Sequence, residues 1–303
     1  MLGSQLRISW DEGRSQASLE ILNQSDNMSS SAQPTFLCIG IQKAGTSWLY
    51  RMVEQHPEVC CADPKEPHFF NRHYHKGLDW YLAHFQCEEQ TRAVGEFTPD
   101  YLWVRDAHSE ARGFEATPDV PARVAEHFPD VQLIVILRDP VSRAVSSYFH
   151  HIGANRVSPN RRISEVGDQW GIRSMGHYAE HLERWFRYFP RERFQILIYE
   201  DDLTGDARLD TLSSVFRHIG VDDSFQPEHM DARYNKRRSP FDYRLSRLPG
   251  RLQHMARKYV PEVVKQSRFW DIPVSEDEME ELRRYYAPHN ERLAHLLDRE
   301  LPW

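Results

Sequence analysis

The run Val131-Gln-Leu-Ile-Val-Ile-Leu137 leaves a chain like this few ways to fold. It is too short for a core helix and too apolar for a half-exposed strand, so it reads as a strand covered on both faces. Phe36–Ile39, Ala93–Thr98 and Phe194–Tyr199 have the same character. Helical patterns alternate with these strands. Trp48, Leu49, Met52 and Val53 share one face, as do Tyr178, Leu182, Trp185, Phe186 and Phe189, and a further helix is predicted near residues 207–219. Asp139-Pro140 places a capping carboxylate ahead of a first-turn proline. Ser275 and Glu278 form a capping-box pattern before Met279, Leu282 and Tyr286, and Pro288 is expected to break or bend that helix before Leu293 and Leu297 resume the stripe. Buried strands alternating with amphipathic helices give an α/β fold, a central parallel sheet flanked by helices in three layers. Ligands in such folds bind at the carboxyl ends of the strands.

The 303 residues suit one large domain, which we place at 34–303. Residues 1–33 are polar and poor in pattern, and are expected to form a flexible tail or foreign sequence ahead of a start at Met28. A formal charge of −7 argues against a protein that coats nucleic acid, while leaving room for a local basic pocket. No apolar run reaches the roughly 18 residues of a membrane span. Cys38, Cys60, Cys61 and Cys87 make no CxxC pair and no zinc spacing, and the adjacent Cys60 and Cys61 are poor partners for each other. Four reduced thiols, a cytoplasmic protein and no metal are therefore expected. Nothing in the sequence fixes an oligomeric state.

Two segments carry anion chemistry at strand ends. Gly40-Ile-Gln-Lys-Ala-Gly-Thr-Ser-Trp48 follows the first strand and opens a helix. Its amides and helix dipole favour an anion, Gly45 permits close approach, Thr46 and Ser47 can donate, and Lys43 adds a full charge. Lys43 stands two residues before Gly45, which is not the Walker A order. Arg138-Asp-Pro-Val-Ser-Arg-Ala-Val-Ser146 follows the strongest strand, pairing a planar guanidinium with a hydroxyl two turns into the next helix. Arg143 is expected to face solvent or join a surface pair.

Together these motifs resemble the sulfotransferases that use 3′-phosphoadenosine 5′-phosphosulfate (PAPS). The resemblance runs from about Phe36 to Trp303 and is nearest to the bacterial and heparan-sulfate-type carbohydrate branch. It implies a P-loop-like fold in which Lys43, Ala44, Gly45, Thr46, Ser47 and Trp48 hold the phosphosulfate and adenine, with Trp48 as plain core the competing reading. Arg138 and Ser146 would hold the 3′-phosphate, and Tyr199 would lie near the adenine or simply pack. The basic segment Lys236, Arg237 and Arg238 would fold over the 3′-phosphate, unless it is only solvated. Lys65-Glu-Pro-His-Phe-Phe70 with Gly77-Leu-Asp-Trp-Tyr81 resembles the same branch and makes Glu66 the general base, with His68 as its rival. Lys43 would stabilise the leaving oxygen.

Carbohydrate members often carry a lysine where Gly95-Glu-Phe-Thr-Pro-Asp-Tyr101 has Phe97, which points to a smaller or less anionic acceptor; Glu96 and Thr98 are expected to shape the site. The acceptor would be a small molecule or a glycan, bearing a hydroxyl or amine. The alternatives are a P-loop kinase or NTPase, for which Arg138 and Ser146 have no task, and a non-catalytic 3′,5′-ADP-binding protein. No metal is implied, because side-chain cations can carry the charge that magnesium neutralises in kinases.

Overall fold

A computed structural model describes residues 32–103, 119–167, 169–232, 240–245, 248–261 and 274–303. The tail expected at 1–33 thus falls almost wholly outside the described residues, and Ala32–Trp303 forms one compact unit. In chain order the main elements are β1 (Phe36–Gly40), α1 (Thr46–Val53), β2 (Val59–Cys61), α2 (Leu78–Leu82), β3 (Ala93–Phe97), α3 (Val120–His127), β4 (Gln132–Leu137), α4 (Pro140–Gly153), α5 (Tyr178–Trp185), β5 (Phe194–Ile198), α6 (Arg208–Ile219), α7 (Gly250–Tyr259) and α8 (Glu276–Leu297).

The strands form one parallel sheet in the order β2-β3-β1-β4-β5. Phe36 pairs with Gly95 on one side of β1 and Gln132 on the other, and Leu137 of β4 pairs with Ile198 of β5. Because the chain steps from β1 to one edge and returns to β4 on the other side, the order reverses between β1 and β4. In such sheets ligands bind at this reversal, outside the carboxyl ends of the strands. Leu133 to Leu137 are fully buried, as the apolar run requires of a central strand.

Helix α4 starts as expected, with the Asp139 carboxylate accepting from the Val141 and Ser142 amides. Helix α8 has its capping box, and Glu278 also accepts from the Ile163 amide at 3.0 Å. Pro288 does not break α8, which runs through it as one 22-residue helix. Tyr286 and Leu293, buried on either side, pin both halves to the core and outweigh the lost amide bond. Strand β2 has only three residues, too few to show a period.

The cysteines are not four reduced thiols. Cys60 of β2 is bonded to Cys87 beyond α2, with Cα atoms 5.4 Å apart, while Cys38 and Cys61 stay free. Cys60 points away from its neighbour Cys61 because adjacent strand residues face opposite sides. The ground for a cytoplasmic assignment goes with the reduced thiols. Among the described residues no helix is long and apolar enough to cross a membrane.

Candidate active site

The loop leaving β1 turns tightly, with Lys43 at φ 72° and Gly45 at φ 103°. Gly45 caps α1 without a side-chain bond, so the first-turn amides of this eight-residue helix face the loop. A Cβ on Gly45 would lie 2.9 Å from Leu203 Cδ2 and 3.0 Å from Tyr199 Cδ2, so only glycine fits. Thr46 is buried, while Ser47 and Trp48 are half-buried. The Trp48 indole packs on the core and donates through Nε1 to the Met230 carbonyl at 2.9 Å.

Arg138, just past the end of β4, joins this loop. Its Nη1 donates to the Lys43 carbonyl at 3.0 Å, and its guanidinium lies 4.8 Å over the Tyr199 ring. Nε keeps no hydrogen-bond partner and sits 3.9 Å from Glu200 Oε1. Glu200 also accepts from the Asp139 amide at 3.1 Å, and Tyr178 donates to the Arg138 carbonyl at 2.8 Å. Burial pushes the Glu200 carboxyl up. Ser146 lies half-buried on the second turn of α4. The fold therefore brings together Lys43, Ala44, Gly45, Arg138 and Tyr199, while Lys236, Arg237 and Arg238 lie outside the described residues. Burial, Arg138 and then Arg143 all push the Lys43 ammonium down, which marks a place where positive charge is crowded.

Arg143 does not face solvent. It is fully buried, and its Nη2 donates to the Ile172 carbonyl and, at 3.4 Å, to that of Gly171. The helix turns Arg143, Ser147 and His151, four residues apart, onto one buried face. Nε and Nη1 of Arg143, Oγ of Ser147 and both His151 ring nitrogens have no hydrogen-bond partner. Burial, then His150, Arg156, Arg143 and Lys43, pushes the His151 imidazole down to about 3, so this ring is neutral. The sequence hid this face because the segment that covers it, residues 169–172, has no regular pattern.

On the β2–β3 side, Lys65 to His68 run above the sheet into a π-helical turn, Phe69–His73. Lys65 Nζ is 3.1 Å from Glu66 Oε1. His68 stands between two carboxylates, with Nε2 3.6 Å from Glu66 Oε2 and Nδ1 3.4 Å from Asp100 Oδ1. Arg72 Nη2 is 2.5 Å from Asp100 Oδ2. Glu66, His68 and Asp100 offer ligand atoms within 4.8 Å of one another, yet each carboxylate already faces a side-chain cation. Glu66 and His68 share this corner, as their spacing suggests.

Beneath the loop, Glu96 is buried and accepts from the hydroxyls of Tyr81 at 2.8 Å, Tyr101 at 3.1 Å, and Thr98. Burial raises its carboxyl to about 7 against the pull of those three donors. Tyr101 accepts in turn from the Phe70 amide at 3.3 Å, and Tyr81 stacks on Phe69 at 4.7 Å, so the network props the loop. Phe97 does not line the site. Its ring is fully buried, edge-on to Phe36 at 5.9 Å and Tyr50 at 5.4 Å, so it packs in the core, and the lysine of the carbohydrate members has no counterpart at this position. Sequence reasoning missed Asp100, Glu200, Tyr81 and Tyr101 as site partners. Each meets its partner across a fold contact that no local motif encodes.

Comparison with known proteins gives one consistent answer. Residues 33–239 match the family model of the sulfotransferase domain. The heparan sulfate glucosamine 3-O-sulfotransferase 3A1 of Mus musculus is 35% identical over 165 residues, covering 52% of this chain and 38% of that protein. The bifunctional heparan sulfate N-deacetylase/N-sulfotransferase 3 of Mus musculus is 33% identical over 210 residues, covering 62% of this chain and 22% of that protein. The chain thus spans well under half of either relative's length. A solved sulfotransferase of Alicyclobacillus acidocaldarius shares the fold, with a TM-score of 0.64 over 89% of this chain and 98% of that chain at 23% identity.

Proposed function

The chain belongs to the sulfotransferase domain family, and we propose that it moves a sulfuryl group from PAPS to an acceptor hydroxyl or amine, releasing 3′,5′-ADP. One observation carries the reading: the Arg138 guanidinium is bonded to the Lys43 backbone and stacked on Tyr199, which joins two anion-binding elements at the switch point of the sheet. A donor with phosphates at both ends of a ribose needs two such elements. Crowding of Lys43, Arg138 and Arg143 disfavours positive charge in the free protein, and a polyanion relieves it.

Catalysis is then positioning and charge stabilisation, as in phosphoryl transfer. Glu66 takes the acceptor's proton while the acceptor oxygen or nitrogen bonds to sulfur. The bond from sulfur to the bridging oxygen breaks, its electron pair leaves with 3′,5′-ADP, and Lys43 stabilises that oxygen. We assign no metal to this step, because Lys65 and Arg72 already face the carboxylates.

A glycan is the acceptor class we favour. The relatives are named for sulfation of heparan sulfate, once at oxygen and once at nitrogen. The test is calorimetric titration with 3′,5′-ADP, with 5′-ADP and Mg²⁺ as control. Binding of the first is expected, weakened by Arg138→Ala by roughly tenfold or more, as for a lost charge-assisted contact. Preference for 5′-ADP with Mg²⁺ would overturn the proposal in favour of a kinase or NTPase.

A further inference from the structure

We propose that Asp100 is a positioning residue that holds the His68 proton on Nδ1, so that Nε2 is free to receive the proton Glu66 takes from the acceptor. The inference rests on Glu66 as the base of the sulfuryl transfer proposed above, and assigns the two groups that stand behind it.

The geometry is a line of three groups from cleft to core. The side chain of Glu66 is 38% exposed, that of His68 17% and that of Asp100 12%, so Glu66 is the member that reaches an acceptor. Asp100 is fixed by its backbone. Just beyond β3, the next residue, Tyr101, is buried with its amide on the Thr98 carbonyl, and Leu102 donates to the Ile39 carbonyl at 2.7 Å. Arg72 holds the second Asp100 oxygen. The His68 backbone is tied down as well: it sits at φ 54°, in the left-handed region that few non-glycine residues visit. Its carbonyl accepts from the Arg72 and His73 amides at 2.9 and 3.1 Å.

Asp100, Glu66, Arg72 and His73 are the charged or titratable groups that face the ring, and the Asn71 side chain hydrogen-bonds to it. Burial pushes the imidazole down, and Arg72 adds to this, while Asp100 and Glu66 pull it up. A neutral ring has one proton to place. Nδ1 makes no hydrogen bond in the resting structure, and Asp100 is the nearer and less exposed carboxylate, 3.4 Å away, so the proton is assigned to Nδ1, leaving the Nε2 lone pair to face Glu66 at 3.6 Å. A carboxylate beside a bare lone pair gains nothing from it. A carboxylic acid in the same position gains a hydrogen bond and can hand its proton on. The acceptor's proton therefore passes to Glu66 and then to His68 Nε2, and Asp100 stabilises the imidazolium that forms. The same logic operates where a buried aspartate orients a catalytic histidine. No electrons are exchanged with any outside agent, and Glu66 is returned ionised.

Histidine-labelled protein examined by long-range ¹H–¹⁵N NMR at neutral pH tests this without knowing the acceptor. His68 is expected as the Nδ1–H tautomer in the native chain. In Asp100→Asn the tautomer ratio should shift toward Nε2–H, with the imidazole titrating lower, and 3′,5′-ADP affinity should stay within about twofold because Asp100 is outside the donor loop. With PAPS and a heparan-derived chain as probe, kcat of the variant should fall roughly tenfold at unchanged KM for PAPS, as for loss of a group supporting a reactive histidine. Nε2–H in the native protein, or an unchanged ratio in the variant, would overturn the assignment; the first needs no variant to fold. Failure of the native chain to bind 3′,5′-ADP would instead sink the sulfotransfer reading, and the tautomer would still report on Asp100.

Discussion

Replacing Glu96 by glutamine should remove a loss of stability that the native protein suffers between about pH 5 and pH 7.5. The carboxyl is fully buried and raised to about 7, while in the unfolded chain it titrates near its ordinary 4.5. Between those values the folded protein still holds a proton that the unfolded chain has released. The stability linked to that proton is therefore fully present below 4.5 and is lost as pH rises through 7. A displacement of this size corresponds to about 3 kcal/mol once both states are ionised.

Glutamine has no proton to lose and can keep the network. Its carbonyl oxygen can accept from Tyr81 and Tyr101, as Glu96 Oε1 does at 2.8 and 3.1 Å, and its amide can donate to Thr98, whose hydroxyl then accepts. Urea unfolding of both proteins in steps from pH 5 to 7.5 isolates the effect, because every other titrating group is common to the pair. The native protein should lose about 2.4 kcal/mol relative to the variant across that range, most of the full displacement. Parallel curves would refute the reasoning and mean that the carboxyl is ionised in the fold at pH 5, with the three hydroxyls outweighing burial.

Two further outcomes follow from the disulfide and from the loop after β1. The Cys60–Cys87 bond closes a loop with a sequence separation of 27, which encloses Lys65 to Tyr81; its loss in Cys87→Ser should cost about 3.5 kcal/mol by loop-closure entropy. Denaturation of the native protein with and without reductant checks this, and identical midpoints would mean that the bond does not form. Gly45→Ala forces a side chain into φ 103° and against Leu203 and Tyr199, so it should destabilise the fold by about 1–3 kcal/mol and weaken 3′,5′-ADP binding at least about tenfold. A variant with native melting temperature and native affinity would show that the loop does not need this turn.

The central strands and the donor loop were readable because each is local. A buried parallel strand announces itself as an apolar run, and Gly40 to Trp48 is contiguous, so its turn could be placed from residue types alone. Strand β2 was not readable, since three residues show no period and its cysteines looked like spare thiols. Arg143 was misjudged because an arginine on an amphipathic helix usually snorkels to water, and only the cover of residues 169–172 makes that face internal. The burial of Phe97 was not readable either, because side-chain direction alternates along a strand and its packing on Phe36 and Tyr50 joins separate elements.

The two halves of the site are thus built on different principles. The donor half is backbone and strand-end geometry at the switch point, where Gly45, the first turn of α1 and Arg138 are placed by the sheet itself. The acceptor half is held by side chains that meet across loops: His68 with Asp100, Arg72 with Asp100, Tyr81 and Tyr101 with Glu96. A sheet that survives sequence divergence carries the donor half with it. The acceptor half depends on which loop residues meet, so on the proposed function choice of acceptor would reside in the loops after β2 and β3. Lys65, Glu66 and His68 belong to the segment that resembles the family, whereas Asp100, which meets both His68 and Arg72, lies outside it, so on the proposed function Asp100 is where the acceptor side of this chain would differ.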